Sequence, residues 1–325
     1  MWPGAVCSKL KEMTIGPVAI KLIAIDMDGT LLGSDGRVSA RNAAALHAAE
    51  VAGVEIVVAT GRRHCYAMHI LRELKLRDSN ALVSSNGTVI RTIGSELVHR
   101  SHMPVETARW LCEHVKEFRR TLVMTFDTVG SDGEDQRGAL VVEDLEELHA
   151  SISRWMQVNA PYIAQVRPLE DALNGDAPIQ MMLCGTIARM REAEARMSEH
   201  PRVTPVGAEE GEDAEVTLHR TEYPERDLCI LDMLPAGCSK ASALAYLAEA
   251  RGISMQEVLA IGDNWNDVPM LEEAGRAVVM SNAPEDVKEL ARVRGWVVGA
   301  SNDEDGVAVA IEEVLAATES AAMVV

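Results

Sequence analysis

The sequence predicts an α/β fold: a doubly wound, parallel-sheet core of Rossmann-like type with an inserted α/β cap domain. Three observations carry this. Short apolar runs alternate with helical stretches in the first and last thirds of the chain, several of those runs end in acidic or glycine-bearing turns, and a middle third of different rhythm separates the two. At 325 residues the chain also exceeds the ~100–200 residues of one ordinary domain, so two domains are expected.

Residues 1–17 show no clear periodicity and read as a loose leader. The run from Lys21 to Asp26 is short and apolar, as a buried parallel strand is, and it runs into the tight turn Asp26-Met-Asp-Gly-Thr. Ser39 caps a helix that Gly53 stops, and Glu55–Ala59 is a second strand ending in Thr60-Gly61-Arg62. A helix over His64–Leu74 leads to a third strand, Ala81–Ser84, which ends at the Asn86-Gly87 turn.

From 91 to 233 helices near Val105–Phe118, Asp144–Val158 and Ala188–His200 alternate with strands at Thr121–Phe126, Ala139–Val142, Ile179–Cys184, Val216–Arg220 and Leu228–Asp232. This reads as the cap, with a mixed sheet. Its acidic stretches Ser131–Gln136 and Ala208–Glu215 read as solvated loops. After Pro235 the first rhythm returns: helix Ser239–Arg251, strand Val258–Ile261 ending in Gly262-Asp263, helix Asp267–Ala274, strand Arg276–Met280, helix Pro284–Ala291, strand Trp296–Val298 and helix Gly306–Ala317. The core is therefore expected in two pieces, 18–90 and 234–318, with 319–325 as a tail.

Apolar residues make up 47% and charged ones 25%, which excludes a disordered chain. Aromatics are only 3%, so the cores must be aliphatic and base-stacking platforms are not expected. The net charge of −19 repels phosphate backbones and anionic lipid heads alike, which points away from nucleic acid and membranes as partners. A phosphorylated small substrate would be repelled too unless a metal ion or a few placed cations received it. The six cysteines form no C-x-x-C pair and read as reduced, mostly buried thiols; with no long uncharged apolar run, the protein is expected in the cytoplasm. Nothing in the sequence fixes an oligomeric state.

In an open parallel sheet ligands bind beyond the carboxyl ends of the strands. Asp26 with Asp28, Thr60, Lys240, and Asp263 with Asp267 all fall at strand ends or at the entry to a neighbouring helix. Carboxylates gathered from distant segments repel unless a hard cation sits among them, and an all-oxygen set with open positions suits Mg2+. A Thr hydroxyl and a Lys ammonium added to that centre suit a phosphoryl group, whose transfer needs chiefly in-line positioning and charge neutralisation.

Taken in order, Asp26-Met-Asp-Gly-Thr-Leu-Leu, Thr60-Gly-Arg, Ser239-Lys240 and Gly262-Asp-Asn-Trp-Asn-Asp-Val-Pro-Met-Leu271 resemble the four motifs of the haloacid dehalogenase-like phosphatase superfamily, and more narrowly its Cof-type sugar phosphatases with a large α/β cap. The first motif is specific: four fixed positions at ~5% per residue type arise by chance in a chain of this length roughly 0.002 times. The resemblance covers residues 20–90 and 234–318, and matches the insert in position and kind. Three departures (Thr88, Ala241 and Ser281, where the family has Ala, Gly and Gly) remove no catalytic atom.

The resemblance implies a Mg2+-dependent phosphatase of small phosphorylated metabolites, sugar phosphates first among them. Asp26 would be the nucleophile that forms an aspartyl-phosphate, and Asp28 the acid that protonates the leaving oxygen and then the base that activates water. Mg2+ would be held by the Asp26 carboxylate, the Asp28 backbone carbonyl and Asp263. Thr60, Gly61, Lys240 and Asn266 would bind the phosphoryl group, Asp267 would orient Lys240 or a metal-bound water, and Asn86 would face the substrate. Each motif alone has a structural reading as a turn, strand end or helix cap. His64 and His69, five apart, fall on different helix faces and read as structural; Arg62 reads as structural or cap-facing, and Trp265 as lid-facing or packed. Two alternatives stay open: a phosphomutase acting on hexose phosphates, and a non-enzymatic aspartyl-phosphorylation switch. Every candidate catalytic residue lies outside the insert, which is therefore expected to select substrate and to leave the chemistry to the core.

Overall fold

The computed structural model describes residues 18–130, 133–146, 148 and 152–322, so the leader at 1–17 lies outside the described residues. The core opens with β1 (Leu22–Asp26), α1 (Ala40–Val51), β2 (Glu55–Ala59), α2 (His64–Leu74), β3 (Ala81–Ser84), β4 (Val89–Thr92) and β5 (Leu97–Arg100). The cap follows with α3 (Val105–His114), β6 (Leu122–Thr125), β7 (Leu140–Val142), α4 (Ser153–Asn159), β8 (Ile163–Gln165), β9 (Gln180–Gly185), α5 (Ile187–Ser198), β10 (Val203–Pro205), β11 (Val216–Tyr223) and β12 (Leu228–Pro235). The core resumes with α6 (Lys240–Ala250), β13 (Val258–Gly262), α7 (Val268–Glu273), β14 (Arg276–Val279), α8 (Glu285–Arg294), β15 (Val297–Val298) and α9 (Gly306–Ala322).

The core sheet runs β15-β14-β13-β1-β2-β3-β4-β5, parallel from β15 to β3 and antiparallel beyond. Its central strands are covered on both faces, which is why they read as continuous apolar runs. Ile23 and Ile25 of β1 pack with Leu46, Leu71 and Ile311 from α1, α2 and α9. Leu22 and Ala24 face the other way, onto Leu244, Met270 and Val287 from α6, α7 and α8. Each such Ile, Leu, Val or Met side chain contributes about 1.5–3 kcal/mol by leaving water. Strand order reverses direction of travel at β1, and that places the topological switch point between β1 and β13.

The cap sheet runs β10-β11-β12-β9-β6-β7-β8 and is antiparallel except for its two outer pairs. One face is sealed by α3 and α5 through Leu111, Cys112, Met190 and Met197. Alternate residues of β11 and β12, among them His219, Tyr223 and Asp232, lie on the other face.

Several expectations shift. The core sheet does not end at residue 90, because β4 and β5 turn back antiparallel to β3 and extend it to Arg100. β5 shows no inward alternation since all four of its residues are exposed at a sheet edge, so it left no periodic signal. The helix expected over Val105–Phe118 ends at His114, and the one expected from Asp144 starts at Ser153 among the described residues. The strand expected to end at Arg220 continues to Tyr223, and the one expected to end at Asp232 continues to Pro235, so the cap sheet runs on to 235. The helix expected from Asp267 begins at Val268, after a single 3-10 turn over Trp265–Asp267, and α9 runs through Ala322 into the expected tail. The stretch 131–136 is not simply solvated, although 131 and 132 lie outside the described residues. Asp135 is buried in an ion pair with Arg63, Glu134 meets Arg72 at 2.7 Å, and the Cys65 thiol donates to the Gly133 carbonyl. Opposite charges at the start of α2 (Arg63) and on it (Arg72) draw that acidic loop onto the core.

Candidate active site

The carboxyl ends of β1, β2 and β13 lie side by side in register, with Asp26 opposite Ala59 and Ile25 opposite Ile261. That register brings Asp26, Thr60 and Asp263 to one rim. The chain leaves β1 through Gly29, whose φ of +83° favours glycine; a Cβ there would stand 2.5 Å from Asp263 Oδ2. The next residue, Thr30, donates its hydroxyl to Asp263 Oδ1 at 2.9 Å, so the turn after β1 both approaches and orients the carboxylate at the end of β13.

Lys240 is the first residue of α6. Ser239 caps that helix, its Oγ accepting from Ser242 N at 3.0 Å while Ser242 Oγ accepts from Ser239 N at 2.9 Å. The cap fixes the helix start and with it the Lys240 side chain, which is fully buried. Its ammonium donates to Asp26 Oδ1 and, at 2.6 Å, to Asp267 Oδ1. Asp267 Oδ2 accepts from the backbone N–H groups of Asp263 and Asn264, both at 3.0 Å. Both oxygens of Asp267 are thus spent on holding Lys240 and the turn after β13.

Asp26, Asp263 and Asp267 are buried and offer carboxylate oxygens within 4.8 Å of one another. Burial, then Asp267, pushes the Asp26 carboxyl up to about 7, with Lys240 pulling the other way. Asp263 is raised well above the usual carboxylate range by burial and then by Asp26 and Asp267. Burial alone would lower the Lys240 ammonium; the two carboxylates outweigh it and hold Lys240 charged. Three carboxylates against one ammonium make a site short of positive charge.

Asp28 stands apart from this cluster. Its carboxylate takes a two-pronged ion pair from Arg62, Nε to Oδ2 at 2.7 Å and Nη2 to Oδ1 at 2.5 Å. Thr60 is buried, its N–H donating to the Val83 carbonyl and its Oγ1 accepting from Arg62 N at 3.1 Å. A Cβ on Gly61 would lie 3.2 Å from both amide atoms of Asn86, so glycine lets that side chain in. Asn86 is fully buried: Oδ1 accepts from Asn266 Nδ2 at 3.1 Å, and Nδ2 donates to Asp232 Oδ2 at 2.7 Å.

Sequence reasoning missed Thr30, Asp232 and Tyr223, and read Arg62 only as structural or cap-facing. Arg62 grips Asp28, and Thr30 orients Asp263. Asp232, from cap strand β12, holds Asn86; burial pushes its carboxyl up to about 7 against the opposing pull of Gln180, Asn86 and Lys240. Tyr223, at the end of β11, is held well above its usual phenol range by burial and then by Asp28, Asp263 and Asp26. The period-2 alternation of β11 and β12 puts Tyr223 and Asp232 on one face, yet nothing in it says that this face meets the core. The cap also seats directly on the turn after β13. Asn264 bonds both backbone groups of Glu222, and Arg220 lies over the Trp265 ring at 5.2 Å.

A parallel α/β core with buried aspartates and a lysine at its switch point, covered by an inserted α/β cap, is the architecture of a capped phosphohydrolase. A family model described as haloacid dehalogenase-like hydrolase matches residues 23–311. The chain belongs to that family, and its enzymatic class is that of the family's phosphatases. The chain is 28% identical to a 5-amino-6-(5-phospho-D-ribitylamino)uracil phosphatase of Bacillus subtilis, over 91% of this chain and 98% of the relative. It is 31% identical to the phosphatase YwpJ of the same organism, over 89% and 98%. A solved haloacid dehalogenase-like hydrolase from B. subtilis superposes with a TM-score of 0.71 at 26% identity, covering 90% of this chain and 99% of that one. Among the described residues no helix is long and apolar enough to cross a membrane.

Proposed function

We propose that this chain is a cytoplasmic, Mg2+-dependent phosphatase that hydrolyses small phosphorylated metabolites, sugar and sugar-alcohol phosphates first, through an aspartyl-phosphate on Asp26. The observation that carries it is the buried cluster in which Lys240 bridges Asp26 and Asp267 while Asp263 closes on them from β13. The phosphorylated ribityl chain in the name of one relative is why sugar alcohols join sugars here.

The donor set supports the metal. Three carboxylates face one ammonium, all ligands are hard oxygens, and Asp26 and Asp263 are raised by burial and by their neighbouring carboxylates, which the single Lys240 does not offset. Asp26, the Asp28 backbone carbonyl and Asp263 would hold Mg2+, which when bound neutralises phosphoryl oxygens and keeps those carboxylates ionised. The chain's own residues do the rest. Lys240, Thr60 and the Gly61 N–H bind the phosphoryl oxygens, with Asn266 and Asn86 closing the same side. Asp26 attacks phosphorus as the bond to the leaving oxygen breaks, and Asp28, with one oxygen released from Arg62 and protonated beforehand, gives that oxygen its proton. A water then attacks the phosphoryl group, Asp28 takes the water's proton, and the bond between Asp26 and phosphorus breaks. Asp267 keeps Lys240 aimed throughout.

The insert, in this reading, excludes bulk water and contacts the leaving group, so it sets the preference among metabolites. Screening sugar and polyol phosphates for released phosphate, with Mg2+ and with excess chelator, tests the reading. Release that needs Mg2+ and favours some metabolites supports it, and undiminished release in chelator overturns it.

A further inference from the structure

Asp232 belongs to the cap, yet its carboxylate ends a hydrogen-bonded chain that leads into the core. Gln180 Nε2 donates to Oδ1 at 2.5 Å and Asn86 Nδ2 donates to Oδ2 at 2.7 Å. Ionised, Asp232 offers acceptors only, so Asn86 turns its NH2 toward the cap and its oxygen toward Asn266, whose Nδ2 then donates at 3.1 Å. Asn266 stands one residue before Asp267 and three after Asp263, and Asn86 N–H donates to the Thr60 carbonyl at 3.0 Å. All four side chains are buried, so water does not compete for these bonds.

We infer that Asp232 is a positioning residue for the hydrolysis itself: it sets the direction of the Asn86 amide and, through it, of the Asn266 amide beside the acidic cluster. This rests on the phosphatase reading above, and it departs from a cap that only selects. A selecting residue changes one substrate against another. Asp232 should instead act on all substrates alike.

The polarity of the chain supplies the test. In Asp232→Leu neither Gln180 nor Asn86 finds an acceptor at position 232, so nothing there fixes the direction of the Asn86 amide. In Asp232→Asn the amide has one oxygen for two donors, and adding Gln180→Glu settles the order: the new carboxylate accepts from the NH2 at 232, and the oxygen at 232 accepts from Asn86 Nδ2. Steady-state kinetics with Mg2+ on p-nitrophenyl phosphate and on a sugar phosphate hydrolysed by the wild type would be compared for D232L, Q180E and the exchanged pair D232N/Q180E. Expected is a fall in kcat of ~10-fold or more for D232L, equal on both substrates and with KM within about threefold, and a kcat for the exchanged pair above that of D232L and of Q180E. Unchanged kcat in D232L, a loss confined to KM or to one substrate, or a pair no better than the single variants would overturn the inference. Should D232L not fold, Q180E against the pair decides it, since two opposed carboxylates are relieved only if the bonds are as described; a pair that cannot fold counts against it. A wild type without Mg2+-dependent activity on either substrate would sink the phosphatase reading instead.

Discussion

Arg62 holds both carboxylate oxygens of Asp28, and its guanidinium lies 4.5 Å over the Tyr66 ring. The Asp28 side chain is 38% exposed where Asp26 and Asp267 are 7% and 0%, so without that fork it would be free to turn in solvent. A planar two-pronged donor fixes direction as well as charge, which a lysine does not do. Arg62→Lys should therefore lower kcat by ~10-fold or more while KM moves little, because an acid and base must stay within hydrogen-bond reach of the reacting oxygen. A variant with wild-type kcat and pH profile would show that Asp28 is aimed by something else.

The two aspartates of the first motif should fail differently. Asp26→Asn removes the covalent nucleophile and should abolish turnover, once deamidation back to Asp is excluded. Asp28→Asn keeps the backbone carbonyl but loses proton transfer, so Mg2+ affinity should hold while turnover drops ~10²–10⁴-fold. Calorimetric Mg2+ titration beside single-turnover kinetics separates the two, and equal loss of metal affinity in both variants would contradict the division of roles.

Gly29→Ala should weaken Mg2+ binding. Its Cβ would lie 2.5 Å from Asp263 Oδ2, and its φ of +83° adds backbone strain. Gly36→Ala is the control, having a φ of +75° and nothing within 4 Å. Both should lose about 1–2 kcal/mol of stability from strain, but only Gly29→Ala should raise the Mg2+ concentration for half-maximal activity. Equal effects on Mg2+ would mean that the Gly29 approach to Asp263 does not matter.

His64 gives a pH prediction. It is buried against the loop that carries Asp127 and Asp135, and neither ring nitrogen has a hydrogen-bond partner among the described residues. Burial, helped by Arg91, pushes its imidazole down to about 4. The unfolded chain titrates near 6.5, so between those values the unfolded state binds more protons and stability is lost as pH falls from about 6.5 toward 4. Asp26 and Asp232, raised to about 7, act in the opposite sense, so the test is a difference. On going from pH 7.5 to 5, His64→Asn should lose less stability in denaturant titrations than the wild type, by about 1–2 kcal/mol. Parallel losses would mean that His64 titrates normally.

How much of this was readable beforehand follows from where each signal lives. Asp26, Thr60 and Asp263 were legible because strand ends are legible: β1, β2 after Glu55, and β13 are buried apolar runs that stop at polar residues. Lys240 was legible through its Ser239 cap. The Arg62 and Asp232 contacts were not, since their partners lie 34 residues away for Arg62 and, across the two domains, 146 for Asp232, and no local period encodes such a contact. The same holds for the acidic loop near Asp135. Its composition reads as solvated, and only the buried Arg63 opposite it makes it an interface. Edge strand β5 is exposed, so it carries no alternation to read, whereas β15, equally exposed, was still expected at Trp296–Val298.

The central claim is that Asp26 carries the phosphoryl group between the two halves of the reaction. Acid-quenching the wild type within milliseconds of mixing with a phosphorylated substrate and Mg2+, then mapping peptides by mass spectrometry, tests it directly. The expected result is one added phosphoryl group on the peptide containing Asp26, appearing before free phosphate reaches its steady rate and lost in Asp26→Asn. Turnover with no phosphorylated intermediate at any time point, or the group on another residue, would contradict it.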